Sequence, residues 1–105
     1  MFIDAHLHVG MFDNVQELLK CASKYQIFPI AVATTLTESS KLLKTLESLN
    51  LKLPVFVGIH PWYITDEKFD ENLMENLLKD SMVVGIGECG LDGKIATPLI
   101  LNFRY

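Results

Sequence analysis

Asp4, His6 and His8 alternate through the opening stretch MFIDAHLHVG. Along an extended strand successive side chains point to opposite faces, so positions 4, 6 and 8 share one face. Two imidazoles converging from one rigid strand make a metal-ligand pair. Asp4 is placed to orient such a ligand from behind. The spacing also suits two histidines on a solvated strand end. The apolar residues before them and the presence of Asp4 favour ligation.

Two further segments carry polar groups after apolar runs. In VVGIGECGLD, residues 83–92, Glu88 follows a strand-like run with glycines on both sides. Gly85 and Gly87 let another backbone or a ligand approach closely. A carboxylate there can bind a hard divalent cation or bridge two of them. A glycine-rich turn with an exposed Glu fits the spacing equally well. In GIHPW, residues 58–62, Pro61 holds His60 extended. His60 can donate to an oxyanion or phosphate, or serve as a partly buried structural histidine. Trp62 is read as packing under its loop rather than stacking on a base. Cys21 is read as core. Ser39, Ser40 and Ser81 have no partners for a nucleophilic triad. Asp66-Glu67 and Asp70-Glu71 are read as loop and helix-start charges.

The elements that must position these groups follow from periodicity. Phe2 and Ile3 begin a short buried strand. Asp13 reads as an N-cap with Gln16 as its capping-box partner. Val15, Leu18, Leu19, Ala22 and Tyr25 then recur at helical spacing, which predicts a helix over 14–25. The run 27–33 (IFPIAVA) is predicted as a strand buried on both faces, with Pro29 tolerated near its start. Thr37 opens a second helix with Leu42, Leu43, Leu46 and Leu49 on one side, and Asn50 stops it. Residues 54–59 form a third strand. Asp70 caps a third helix with the stripe Leu73, Met74, Leu77 and Leu78. Residues 82–86 form a fourth strand, and 98–105 begin a fourth helix. Strand and helix alternate throughout, which implies right-handed crossovers and a parallel sheet. A small open doubly wound sheet and half of a (β/α)8 barrel both fit. In either, the polar residues fall at strand C-termini, where such sheets bind ligands.

The chain has 105 residues, 50% apolar and 21% charged, a composition expected of one folded domain. Its net charge of -4, with nine scattered Lys and Arg, offers no basic stripe for phosphates. Bound divalent metals can supply that missing positive charge. Cys21 and Cys89 are too far apart for a CxxC motif and are read as reduced thiols of a cytoplasmic protein. No signal-peptide pattern and no long apolar run is present, so no membrane contact is expected.

Taken in order, IDAHLH, VGIHPW and VVGIGECGLD resemble the TatD family of metal-dependent hydrolases over residues 2 to about 97. HxH alone is weak evidence; G-x-H-P and G-E-C-G-L-D are far more specific. The resemblance implies a (βα)4 parallel-strand fragment like the first half of a TIM-type (β/α)8 barrel, with all 105 residues forming one partial domain. It implies divalent metal ions (Mg, Mn or Zn) at the C-terminal face and hydrolysis of DNA phosphodiester bonds. By carry-over, His6 and His8 bind one metal, Glu88 ligates or bridges and is catalytic, His60 lies near the substrate, and Asp4 supports the ligands.

The family's site also uses two later histidines and a late aspartate. His6, His8 and His60 are this chain's only histidines. The expectation is therefore a truncated product or a fragment, weakly active or inactive alone. The alternative is a non-catalytic metal-binding or degenerate half-barrel that needs a partner chain. Its exposed outer strands and an inner face including Ile3, Ile30 and Val84 are expected to favour self-association.

Overall fold

Three side chains start the three helices. Asn14 Oδ1 accepts from the Glu17 N–H at 3.0 Å and opens α1, Val15–Lys24. Thr35 Oγ accepts from the Glu38 N–H at 3.0 Å and opens α2, Leu36–Ser48. Asp70 Oδ1 accepts from the Leu73 N–H at 3.0 Å and opens α3, Glu71–Leu78. Each satisfies one of the N–H groups that a helix start leaves orphaned. The Asp70 cap is as expected from sequence. The other two differ: Asn14 rather than Asp13 caps α1, and Thr35 rather than Thr37 caps α2. In each case a neighbouring oxygen-bearing residue of equal capping ability takes the position.

The computed structural model describes residues 1–94. The strands are β1 (Phe2–Leu7), β2 (Ile27–Val32), β3 (Val55–Val57) and β4 (Val83–Ile86), with short 3-10 turns at Val9–Met11 and Pro61–Tyr63. All neighbours pair in parallel, in the order β1-β2-β3-β4. Strand and helix alternate in chain order, which is the (βα) arrangement of the first half of a (β/α)8 barrel. The helix expected at 98–105 lies outside the described residues.

The core lies between the sheet and the helices. Val55 and Val57 of β3 and Ala31 of β2 are fully buried, and Leu36 and Leu46 meet them from α2. Val9, just past β1, is also fully buried. Ala31 and Val32 are both buried although they point to opposite faces, so β2 is enclosed on both sides only at its C-terminal end. The α2 helix ends in a left-handed Asn50 (φ 54°), as its predicted stop requires. The N–H groups of Asn50 and Leu51 return to the carbonyls of Glu47 and Leu46, which closes the helix end.

Several residues read as core are on the surface. Phe2 and Ile3 are 73% and 65% exposed, because β1 is an edge strand with no element covering its start. Tyr25 and Cys21 are exposed, because α1 buries little more than Val15 fully. Val84 and Ile86 of β4 are also exposed, on the second edge of the sheet; at Ile3 and Val84 this is the uncovered inner face expected of a half-barrel. No helix among the described residues is long and apolar enough to cross a membrane.

Candidate metal centre

The site begins with an irregularity in β1. Asp4 pairs with Pro29 and Leu7 with Ala31, so β1 takes three steps where β2 takes two. Pro29 has no N–H to offer the ladder, and the register shift follows directly after it. Asp4 Oδ1 accepts from the backbone N–H of His6 at 3.1 Å. Asp4 therefore fixes the backbone that carries His6, and is not among the converging donors. Leu7 turns toward the core, and His6 and His8 meet with their rings edge-on, 5.0 Å between centroids.

Glu88 has to travel to reach them, since β4 and β1 are opposite edges of the sheet. Past β4 the chain folds over the end of β3. The Gly87 N–H donates to the Val57 carbonyl at 3.0 Å, and the Glu88 N–H to the Ala33 carbonyl at 3.4 Å. The Glu88 carbonyl lies against the Gly58 backbone, where any Cβ on Gly58 would collide with it. Gly58 is thus the glycine that close backbone approach requires. Gly85 has a different neighbour: a Cβ there would sit 2.6 Å from the Phe56 ring. Gly87, expected to permit close approach, has only ordinary clearance.

The crossing brings Glu88 into the midst of three imidazoles. His6 Nε2 lies 3.4 Å from Glu88 Oε1, His8 Nε2 3.6 Å from Oε2, and His60 Nε2 3.7 Å from Oε1. These exceed good hydrogen-bond distances, so the groups surround a point rather than pair off. Donor atoms of His6, His8 and Glu88 all fall within 4.8 Å of one another. Two donors about 2.1 Å from one tetrahedral ion would lie about 3.4 Å apart, so the spacing suits a cation. Glu88 Oε2 is buried and accepts no hydrogen bond. An orphaned buried carboxylate oxygen is costly, and a cation would satisfy it.

The two better-buried imidazoles are set in opposite tautomers by their backbone partners. His8 Nδ1 lies 2.8 Å from the Val32 carbonyl, which can only accept. Nδ1 therefore carries the proton, and the Nε2 lone pair is free for a metal. His60 Nδ1 lies 3.0 Å from the Trp62 N–H, which can only donate. In neutral His60 the proton is then on Nε2, facing Glu88. His8 thus turns a bare Nε2 lone pair toward Glu88, and neutral His60 turns an Nε2–H toward it.

Two residues of the surroundings escaped the sequence reading. Glu67, taken as a loop charge, accepts from the Leu36 N–H at 2.7 Å, the Thr37 N–H at 2.9 Å and the Thr37 hydroxyl at 2.6 Å. It caps α2 from across the fold and so ties the loop after His60 to that helix. Burial raises its pKa, but these hydrogen bonds outweigh burial and hold it below the usual carboxylate value. Glu38 Oε2 accepts from the N–H and hydroxyl of Thr34, whose carbonyl in turn accepts the His60 N–H at 2.7 Å. No local signal could reveal Glu67, whose partners lie 30 residues away. Trp62, expected beneath its loop, is 60% exposed, because Tyr63 takes the inward position instead.

A parallel βα sheet with imidazoles and a carboxylate gathered at its strand C-termini has the layout in which barrel enzymes place their functional groups. The chain belongs to the TatD related DNase family, whose pattern matches residues 3–98. It is also 30% identical over 97 residues to an uncharacterized metal-dependent hydrolase of Buchnera aphidicola subsp. Baizongia pistaciae (strain Bp). That match covers 86% of this chain and 36% of the relative, so the chain spans about a third of the length of that curated protein.

Proposed function

We propose that this chain supplies His6, His8 and Glu88 as divalent-metal ligands to a hydrolase acting on phosphodiester bonds of DNA. The observation that carries this reading is the convergence of His6, His8 and Glu88 donor atoms within 4.8 Å, around a carboxylate oxygen without a hydrogen bond. The family description and the printed name of the relative agree with it.

The donor set of two nitrogens and a carboxylate suits Zn, Mn or Mg. A cation held there supplies Lewis acidity toward phosphoryl oxygens and lowers the pKa of bound water. The chain's own residues do the rest. Val32 holds His8 in the ligand tautomer, and Asp4 holds the His6 backbone. His60 presents its Nε2–H toward the same space and donates it to a phosphate oxygen. Glu88 provides the negative charge that draws the cation between the two edges of the sheet. Catalysis depends on it for that reason.

The test is a thermal melt with Mn²⁺, Zn²⁺, Mg²⁺ or chelator, paired with hydrolysis of a single-stranded oligonucleotide. Metal at roughly a hundred times its Kd should add about 2.7 kcal/mol of stability, a rise in Tm on the order of 10 °C at this chain length. The shift should vanish in the His6→Ala/His8→Ala double variant, and hydrolysis should vanish in Glu88→Ala. A melt indifferent to every metal would refute the proposed site. A metal shift without hydrolysis would leave metal binding alone.

A further inference from the structure

Trp62 is the chain's single tryptophan, and it sits on the surface beside the most polar cluster of the fold. Its ring centroid is 5.2 Å from that of His60, with the rings at 69°. His60 in turn reaches Glu88 with Nε2 at 3.7 Å. The position is fixed rather than incidental. The Trp62 N–H is bonded to His60 Nδ1, Pro61 precedes it in a 3-10 turn, and Tyr63 anchors that turn in the core. Since Tyr63 does the packing, the Trp62 ring has no evident structural task.

Charge indicates what such a ring is for. With a net charge of -4 and no basic stripe, the chain offers few side chains for phosphate contacts beyond a metal site. Affinity beyond one metal-held phosphate has to come from elsewhere, and a flat aromatic face is the sequence-tolerant alternative. We infer that Trp62 is the stacking wall of the site, taking the nucleobase next to the phosphate held at His6, His8 and Glu88. This rests on the phosphodiesterase reading above and deepens it: Trp62 adds a base contact beside the phosphate contact.

Trp62 also reports on itself, as the only indole in the protein. The experiment compares a short single-stranded thymidine homopolymer with an abasic strand of the same length, both with phosphorothioate linkages, in Mg²⁺. Trp62 emission and the anisotropy of a labelled strand are followed together. The thymidine strand should quench Trp62 and bind about tenfold more tightly than the abasic one. Trp62→Ala should erase that preference, and Trp62→Phe should keep most of it. Equal affinity for the two strands with unchanged emission would overturn the stacking role and leave the phosphodiester reading standing. No binding of either strand would remove the phosphodiester reading, and the stacking wall with it.

Discussion

The carbonyl of Glu88 occupies the space that a Cβ on Gly58 would fill. This contact lets the chain beyond β4 cross the end of β3 and hydrogen-bond to Ala33, beyond β2. Without it, the carboxylate would remain on the far edge of the sheet from His6 and His8. Gly58→Ala is accordingly expected to act at a distance. It should cost about 1–3 kcal/mol in stability, as overpacking does. It should also weaken metal binding at least tenfold, although residue 58 bears no donor. Calorimetric titration with Mn²⁺ checks this, and unchanged affinity would show that Glu88 needs no such clearance.

His8 and His60 should be distinguishable by nitrogen NMR. Neutral His8 should show its proton on Nδ1 and neutral His60 on Nε2, following the Val32 carbonyl and the Trp62 N–H. His8→Ala should abolish metal binding, and His60→Ala should preserve it. A ring proton on Nε2 of His8 in the metal-free protein would contradict its assignment as a ligand.

The Glu67 clamp predicts a pH dependence of stability. Its folded pKa is held below the ordinary value of 4.5. The stability it contributes is therefore present above that ordinary value and is lost as pH falls through the folded pKa. Melts of the wild type should drop in this acid range, and Glu67→Gln should flatten that part of the curve. At neutral pH the same variant should lose about 1 kcal/mol, the usual cost of a helix cap. An acid limb of equal depth in both proteins would assign it to other carboxylates.

Leu46→Ala separates stability from the site. Leu46 is fully buried in the α2 stripe and belongs to the apolar core. Its truncation should cost about 3 kcal/mol. Metal affinity measured well below the melting temperature should remain unchanged. A large loss of affinity would mean that α2 packing sets the geometry of the cluster.

The order of the elements and the parallel sheet were legible in the sequence, because βα alternation leaves a repeated pattern of apolar runs and helical stripes. So was the gathering of His6, His8, His60 and Glu88, since each follows or ends such a run. Distances across the sheet were not legible. Gly85 and Gly87 looked like the permissive ones; Gly85 does admit the Phe56 ring, but the close backbone contact with Glu88 falls on Gly58, just past β3. Glu67 gave no signal because its partners Leu36 and Thr37 are remote in sequence. Asp4 shares the alternation of His6 and His8, but the register shift after Pro29 turns its carboxylate to the backbone instead. Exposure failed at Phe2, Tyr25 and Trp62 because hydrophobicity marks what can be buried, whereas neighbours decide what is.

The hydrogen bond from His8 to Val32 couples coordination chemistry to strand alignment. Carbonyls along a strand point alternately to one side and the other, so a one-residue slip of β1 against β2 would present His8 with no acceptor. The imidazole would then be free to carry its proton on either nitrogen. Only a correctly aligned sheet delivers Nε2 as a bare lone pair facing Glu88. A misaligned sheet would therefore offer a cation a poorer site, so any metal bound between His8 and Glu88 would favour the correct register.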